Sequence, residues 1–246
     1  MKKFEIADNV VGFAQSAPHS GEFKNDLPIS EELKVELLTE IYNDFVREVV
    51  GVHFKDFQEL MQEYFDEHEI PEEKRHSLEH NLFWWKVLYQ ASKGIEIQFV
   101  QEYIAKNYSV LKHKPLIISW LKKWEKATTK FYYVGYKYND RTLVLIDILT
   151  EETLDVVVYD RNATPPQKGE IVVGTLLPIG NGQYFPILDF YHTDYEAREH
   201  IATLLQPYYQ RYPKNSTEQE AFLHVLSAVL QVERMIREEA GEVIDK

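Results

Sequence analysis

Five residues of the chain, "HSLEH" from His76 to His80, match the H-x-x-E-H pattern of inverzincin metalloproteases. On a helix His76 and His80 fall one turn apart on the same face, where two imidazoles can hold zinc and Glu79 can activate a bound water. The flanks point elsewhere. "DEHEIPEEKR" before the motif is a charged run of the kind found on solvated faces, and "NLFWWKVLYQ" after it reads as core. A metal site, a hydrolytic centre and an exposed helix surface are the three readings of this stretch.

A second cluster is "LVLIDILTEETLDVVVYD", with Asp147, Glu151, Glu152, Asp155 and Asp160 set among branched aliphatics. Paired-carboxylate nucleases follow the first acid with a Glu-x-Lys on a nearby strand, to hold a hard cation and steady the attacking water. No Glu-x-Lys follows Asp147 in this stretch. Glu151 and Glu152 suit the tip of a hairpin. Asp147 alone interrupts an apolar strand, and it is expected to bond turn N–H groups.

A third is "KHKPLIISWLKKWEKATTKF". Lys112, Lys114, Lys122, Lys123, Lys126 and Lys130 crowd around Trp120 and Trp124, with Glu125 the only acid. Lysines could meet RNA phosphates while Trp124 stacks on a base. Against this, the tryptophans stand four apart, the spacing of a buried helix face whose lysines reach out to water. His192, Glu196 and His200 could line one helix face, and they read as surface. No P-loop, dinucleotide fingerprint or nucleophile elbow occurs.

These groups need elements to position them. Ser30 is an N-cap, Leu33, Leu37, Ile41, Phe45 and Val49 follow at helical spacing, and Gly51 is a stop signal. Phe54 to Phe65 makes a second helix. Pro71 opens a third, ended by Gly94, "IQFVQEYIAKNY" is a fourth, and Pro115 opens a fifth. From about residue 130 the pattern changes to short β-branched and aromatic runs separated by "NDR", "TEE", "NATPPQKG" and "GNG". Helical spacing returns near residue 193. A capping box at Ser216 and Gln219 leads into Phe222, Val225, Leu226, Val229, Leu230, Glu233 and Ile236, with one charge in the stripe.

The fold class is therefore α+β. Residues 1–28 form an arm or loop, 29–128 a helical domain, 129–192 a small antiparallel β meander or half-open barrel, and 193–246 C-terminal helices packing back on one or both of the preceding regions. The 246 residues carry a net charge of -13, which opposes non-specific nucleic-acid and anionic-lipid binding. There is no Cys, which excludes disulfides, thiol nucleophiles and Cys-held metals. No apolar run reaches the roughly 18 residues of a membrane span, and the start lacks an apolar signal core, so a cytoplasmic protein is expected.

From Phe83 to Tyr191 the chain resembles the helical-plus-β region of bacterial proteins that carry a SEC-C motif. The residues that carry the likeness are Trp124, Phe131, Val134, Asp147, Thr150, Val156, Lys168, Gly169, Gly174 and Pro178. The resemblance implies that Lys168 and Gly169 turn the chain into the fourth strand and that Asp147 braces the hairpin. The zinc-binding tail of those proteins needs cysteines, and its zinc-dependent docking does not carry over. No cofactor is expected. The leading expectation is a non-catalytic interaction or regulatory module whose partner is another protein, with self-association open and nucleic acid and membrane disfavoured. The alternatives are a metal-dependent hydrolase on His76, Glu79 and His80, and an RNA-binding protein on Lys122, Lys123, Trp124 and Lys126.

Overall fold

The computed structural model describes residues 15, 21–92, 99–211 and 218–241. Ser30 caps the first helix, its hydroxyl accepting from the Leu33 amide at 3.3 Å. α1 (Glu31–Val35) runs through a π-helical stretch, Glu36–Tyr42, into α2 (Asn43–Glu67) without a break. Gly51 does not stop it. A glycine costs a helix about 1 kcal/mol relative to alanine. Burial of Val49 and Phe57 on either side returns roughly 1.5–3 kcal/mol each, so the helix continues. α3 (Glu72–Ser92) starts after Pro71, whose carbonyl accepts from Lys74 and Arg75. α4 (Phe99–Lys106), α5 (Tyr108–Leu111), α6 (Pro115–Leu121) and a 3-10 turn at Trp124–Lys126 complete the helical half. Gly94 and Ser216 lie outside the described residues.

The β unit takes the barrel form. β1 (Thr129–Asn139), β2 (Thr142–Asp147), β3 (Thr153–Val157), β4 (Ile171–Gly180) and β5 (Gln183–Pro186) lie in the order β1-β2-β3-β5-β4, and β4 pairs back onto β1. β6 (Tyr191–His192) adds to the free edge of β4. The closure is not all antiparallel: β3 and β5 run parallel, joined at Asp155–Gln183 and Val156–Tyr184. Segment 158–170 makes this possible by carrying the chain across the barrel from β3 to β4.

β4 reads as an unbroken apolar run because both of its faces are buried. Ile171, Val173, Leu177 and Ile179 join the helical core, while Val172 and Leu176 fill the barrel with Leu143, Leu145, Val156 and Phe190. Gly174 gives Phe190 its room, since a Cβ there would stand 2.6 Å from the ring. Trp120 ties α6 to β4 through an Nε1 bond to the Pro178 carbonyl at 2.9 Å. The β4–β5 tip is covered by the segment before α1, where Asn25 and Leu27 accept from the amides of Gly180, Asn181 and Gly182.

α7 (Arg198–Arg211) and α8 (Glu218–Glu239) close the fold. The charge in the α8 stripe, Glu233, is fully buried and is the centre of a polar lock. Its carboxylate accepts from Tyr191 Oη at 2.7 Å, from the Asp194 amide at 2.5 Å and from Lys74 Nζ at 2.9 Å. Lys74 also meets Asp194 at 2.5 Å, and Arg237 meets the other Asp194 oxygen at 2.6 Å. Burial pushes the Glu233 carboxyl up, against the pull of Lys74. Removing one member of such a set leaves its partners desolvated and unpaired. Glu233→Ala is therefore expected to cost about 3–5 kcal/mol in urea unfolding. Glu239→Ala, at the exposed end of the same helix, should stay within about 0.5 kcal/mol of the parent.

Candidate functional site

Asp147 lies at the inner end of β2, 2% exposed. One carboxylate oxygen accepts from the amides of Leu149 at 2.9 Å and Thr150 at 3.2 Å, and the other pairs with Lys130 at 2.6 Å. Burial would raise its pKa, but the Lys130 bond and the turn amides outweigh it and hold the carboxyl below the usual value. Both carboxylate oxygens are thus engaged, one by the turn amides and the other by Lys130 on β1. Gly169 precedes β4 with φ +86, a conformation that favours glycine.

In the lysine segment both tryptophans are fully buried. Trp124 packs among Phe45 at 4.7 Å, Trp84 at 5.1 Å and Tyr42 at 6.1 Å, so it has no free face for a base. Lys114 and Lys130 are held by Glu36 and Asp147. Lys122 and Lys123 follow the C-terminal end of α6, where the helix dipole favours them, and Lys126 ends the 3-10 turn beyond. His76, Glu79 and His80 do come together on α3, with one ligand atom of each within 4.8 Å of the others. His192, Glu196 and His200 do not share a helix, since His192 is in β6 and Glu196 in a 3-10 turn.

Sequence reading missed a surface and a cleft. The side chains of β1 that point away from the barrel are Thr129, Phe131 and Tyr133, and two bulges then shift the pairing with β2, between Val134 and Tyr136 and between Lys137 and Asn139. The first bulge re-phases the strand, so Tyr136 follows Tyr133 on the outside. Phe131 is covered by α8, its ring 5.3 Å from Phe222. Beyond the helices the same face opens: Tyr133 is 40%, Tyr136 51% and Tyr138 65% exposed, the last two rings 5.0 Å apart. Ile146 and Val144 lie opposite Tyr133 and Tyr136 on β2, and Asp155 on β3 is the charge opposite Val144. The strand-by-strand run of tyrosines was visible in "FYYVGYKY"; its facing was not, because a bulge breaks the two-residue period.

At Tyr133 this face meets a cleft of about 510 Å³ between the barrel and the first turn of α7, lined by Tyr133, Lys168, Gly169, Tyr195, Arg198 and Glu199. The hydroxyls of Tyr195 and Tyr133 converge over Gly169, where a Cβ would stand 3.5 and 3.7 Å from them. Lys168 has no acceptor among the described residues. Arg198 lies over the Tyr195 ring at 4.0 Å, donates to the Tyr195 carbonyl at 2.7 Å and reaches Glu199 at 3.6 Å. The cleft thus collects more donors than acceptors, the arrangement that takes a carboxylate or another anion.

One titratable group beside β4 is strongly perturbed. His192 Nδ1 meets Glu170 at 2.7 Å, and Nε2 stands 3.9 Å from Asp189. Burial lowers the imidazole pKa, but Asp189 and Glu170 together outweigh it and lift it to about 9. Because the folded value lies above the unfolded 6.5, the contribution is fully present below pH 6.5 and disappears as pH rises through about 9. It amounts to roughly 3 kcal/mol. Melting temperature should accordingly fall from pH 7 to pH 10 by more in the parent than in His192→Gln. Asp147→Ala is expected to cost about 2–4 kcal/mol, with Asp147→Asn losing less because its carbonyl still accepts from the turn. Urea titration of the two variants side by side checks this. Comparison of the chain with protein-family models, with curated proteins and with solved structures returns no match.

Proposed function

We propose that the chain is a non-catalytic interaction module of the cytoplasm that binds an extended segment of another protein. The segment lies on the outer face of β1, β2 and β3, with an acidic side chain or terminal carboxylate in the cleft at Tyr133. The observation that carries this reading is the exposed row Tyr133, Tyr136 and Tyr138, which runs from bare sheet into a cleft where Lys168 has no acceptor among the described residues. Tyrosine is enriched at binding hot spots because it brings large rigid area together with a polar tip. The likeness of residues 83–191 to SEC-C motif-containing proteins accords with this, since a chain with no Cys would engage a partner through the barrel and not through a zinc tail.

A protein partner suits the charges better than RNA. A bound phosphate chain needs cations along its length, whereas Lys168 and Arg198 stand at one end and Asp155 lies within the face. Lys122, Lys123 and Lys126 have no exposed Trp124 to work with, since that ring is fully buried. Catalysis finds little support: Glu233, Asp147, His192 and His68, the acids and imidazoles with shifted pKa, do not line the cleft, and each is bonded to structural partners.

A phage-displayed random peptide library tests the reading. Selection on the full chain should enrich peptides that combine aliphatic residues with Asp or Glu. Tyr136→Ala with Tyr138→Ala should weaken a selected peptide at least tenfold, about 1.4 kcal/mol. Lys168→Glu should weaken acidic peptides more than their amidated or Asn/Gln versions. Peptides indifferent to all three substitutions, or single-stranded RNA binding with the same tyrosine dependence, would overturn it.

A further inference from the structure

We propose that His76, Glu79 and His80 form a surface site for a divalent first-row transition ion of the zinc class. It is a binding site on the exposed part of α3, independent of the barrel face. One ligand atom from each residue already lies within 4.8 Å of the other two. Around a tetrahedral ion with bonds of about 2.0–2.2 Å, ligand atoms stand roughly 3.3–3.6 Å apart, so closure needs a shift of about an ångström in flexible side chains.

Two further features prepare the site. His80 Nδ1 lies 2.8 Å from the His76 carbonyl, an oxygen that can only accept. The proton is therefore on Nδ1, and Nε2 carries the lone pair, the orientation that metal-bound histidines obtain from a partner of this kind. The His80 ring also packs against Phe54 at 5.0 Å and His76 at 4.2 Å, which limits the rotamers lost on binding. The side chains of Glu79 and His76 are engaged in no hydrogen bond or ion pair among the described residues, unlike Glu36 and Glu48, which hold lysines. These two side chains have no bond to give up when the ion arrives.

Two imidazoles and one carboxylate select a borderline ion and not magnesium or calcium, which take oxygen ligands. Three protein ligands leave a fourth position facing solvent, which water fills. Glu79 is then a ligand and is not free as a general base, so the site binds and does not hydrolyse. The ion would staple a turn of α3 between Ser77 and Asn81, which bond the carbonyls of Phe190 and Asp189 and so hold the helix to the β6 segment. Metal binding should therefore stabilise the docking of α3.

Isothermal titration of zinc chloride into the tag-free full chain tests this. One equivalent is expected at micromolar affinity, weakened at least tenfold by His80→Ala or His76→Ala and several-fold by Glu79→Gln, with no heat from magnesium. Saturating zinc should raise the melting temperature of the parent by several degrees and leave His76→Ala unmoved. His76 is exposed, so His76→Ala keeps the fold, as circular dichroism would verify. Absence of saturable binding at tenfold excess zinc overturns the proposal. So does an equivalent that survives in both histidine variants, since that ion would lie on other histidines of the chain.

Discussion

One strand has to serve two neighbours. β1 bonds β2 along one edge and β4 along the other, and the barrel exists only because it does both. A strand that closes a barrel this small must bend, and a bulge is the cheapest way to bend it. Gly135 supplies the place. A Cβ there would press on Ile146 Cδ1 at 3.1 Å, so the smallest residue lets the strand turn without displacing β2. The same bulge decides what the barrel shows to solvent. Before it β1 offers Phe131 to the helical core, and after it Tyr136 and Tyr138 to water. Barrel closure and the candidate binding face thus have one cause.

The barrel is joined to the helices by apolar packing along β4 and by a buried charge set. Packing accounts for the affinity between the two halves, since Ile171, Val173, Leu177 and Ile179 share one core with the helices. It does not fix their register. Lys74 from α3, Asp194 after β6, and Glu233 and Arg237 from α8 meet in contacts that a slip of one element would separate. Such a set adds little net stability compared with apolar residues of the same volume, but it penalises any slip by leaving charges unpaired in the core. The cleft depends on that register, because Tyr195 and Arg198 follow directly on Asp194 while Tyr133 and Lys168 belong to the barrel.

Much of the architecture was legible in residue types. Ser30, Pro71 and Pro115 marked helix starts through local backbone chemistry, and the β-branched runs marked strands. Asp147 announced a bonded turn by being the one acid in an apolar strand, and Glu233 stood out as the one charge in an apolar stripe. Partners across the chain were not legible. The parallel β3–β5 pair and the β1–β4 closure depend on which edges meet, and no local pattern encodes that. Gly51 misled because a local propensity of about 1 kcal/mol was outweighed by packing that the sequence does not display. The cleft draws on residues 133, 168, 195 and 198, which nothing in the linear order connects.

The tyrosine row of β1 is the proposed docking face for the partner. Site-specific photo-crosslinking in living cells tests it most directly, with a photoreactive phenylalanine analogue placed at Tyr138 or Tyr136 and, as controls, at the exposed positions Val52 and Val110. The expected result is one discrete protein adduct from positions 136 and 138, reduced when Lys168→Glu is added, and none from the controls. Adducts of equal strength from all four positions, or from the controls and not from β1, would rule out docking on the tyrosine row.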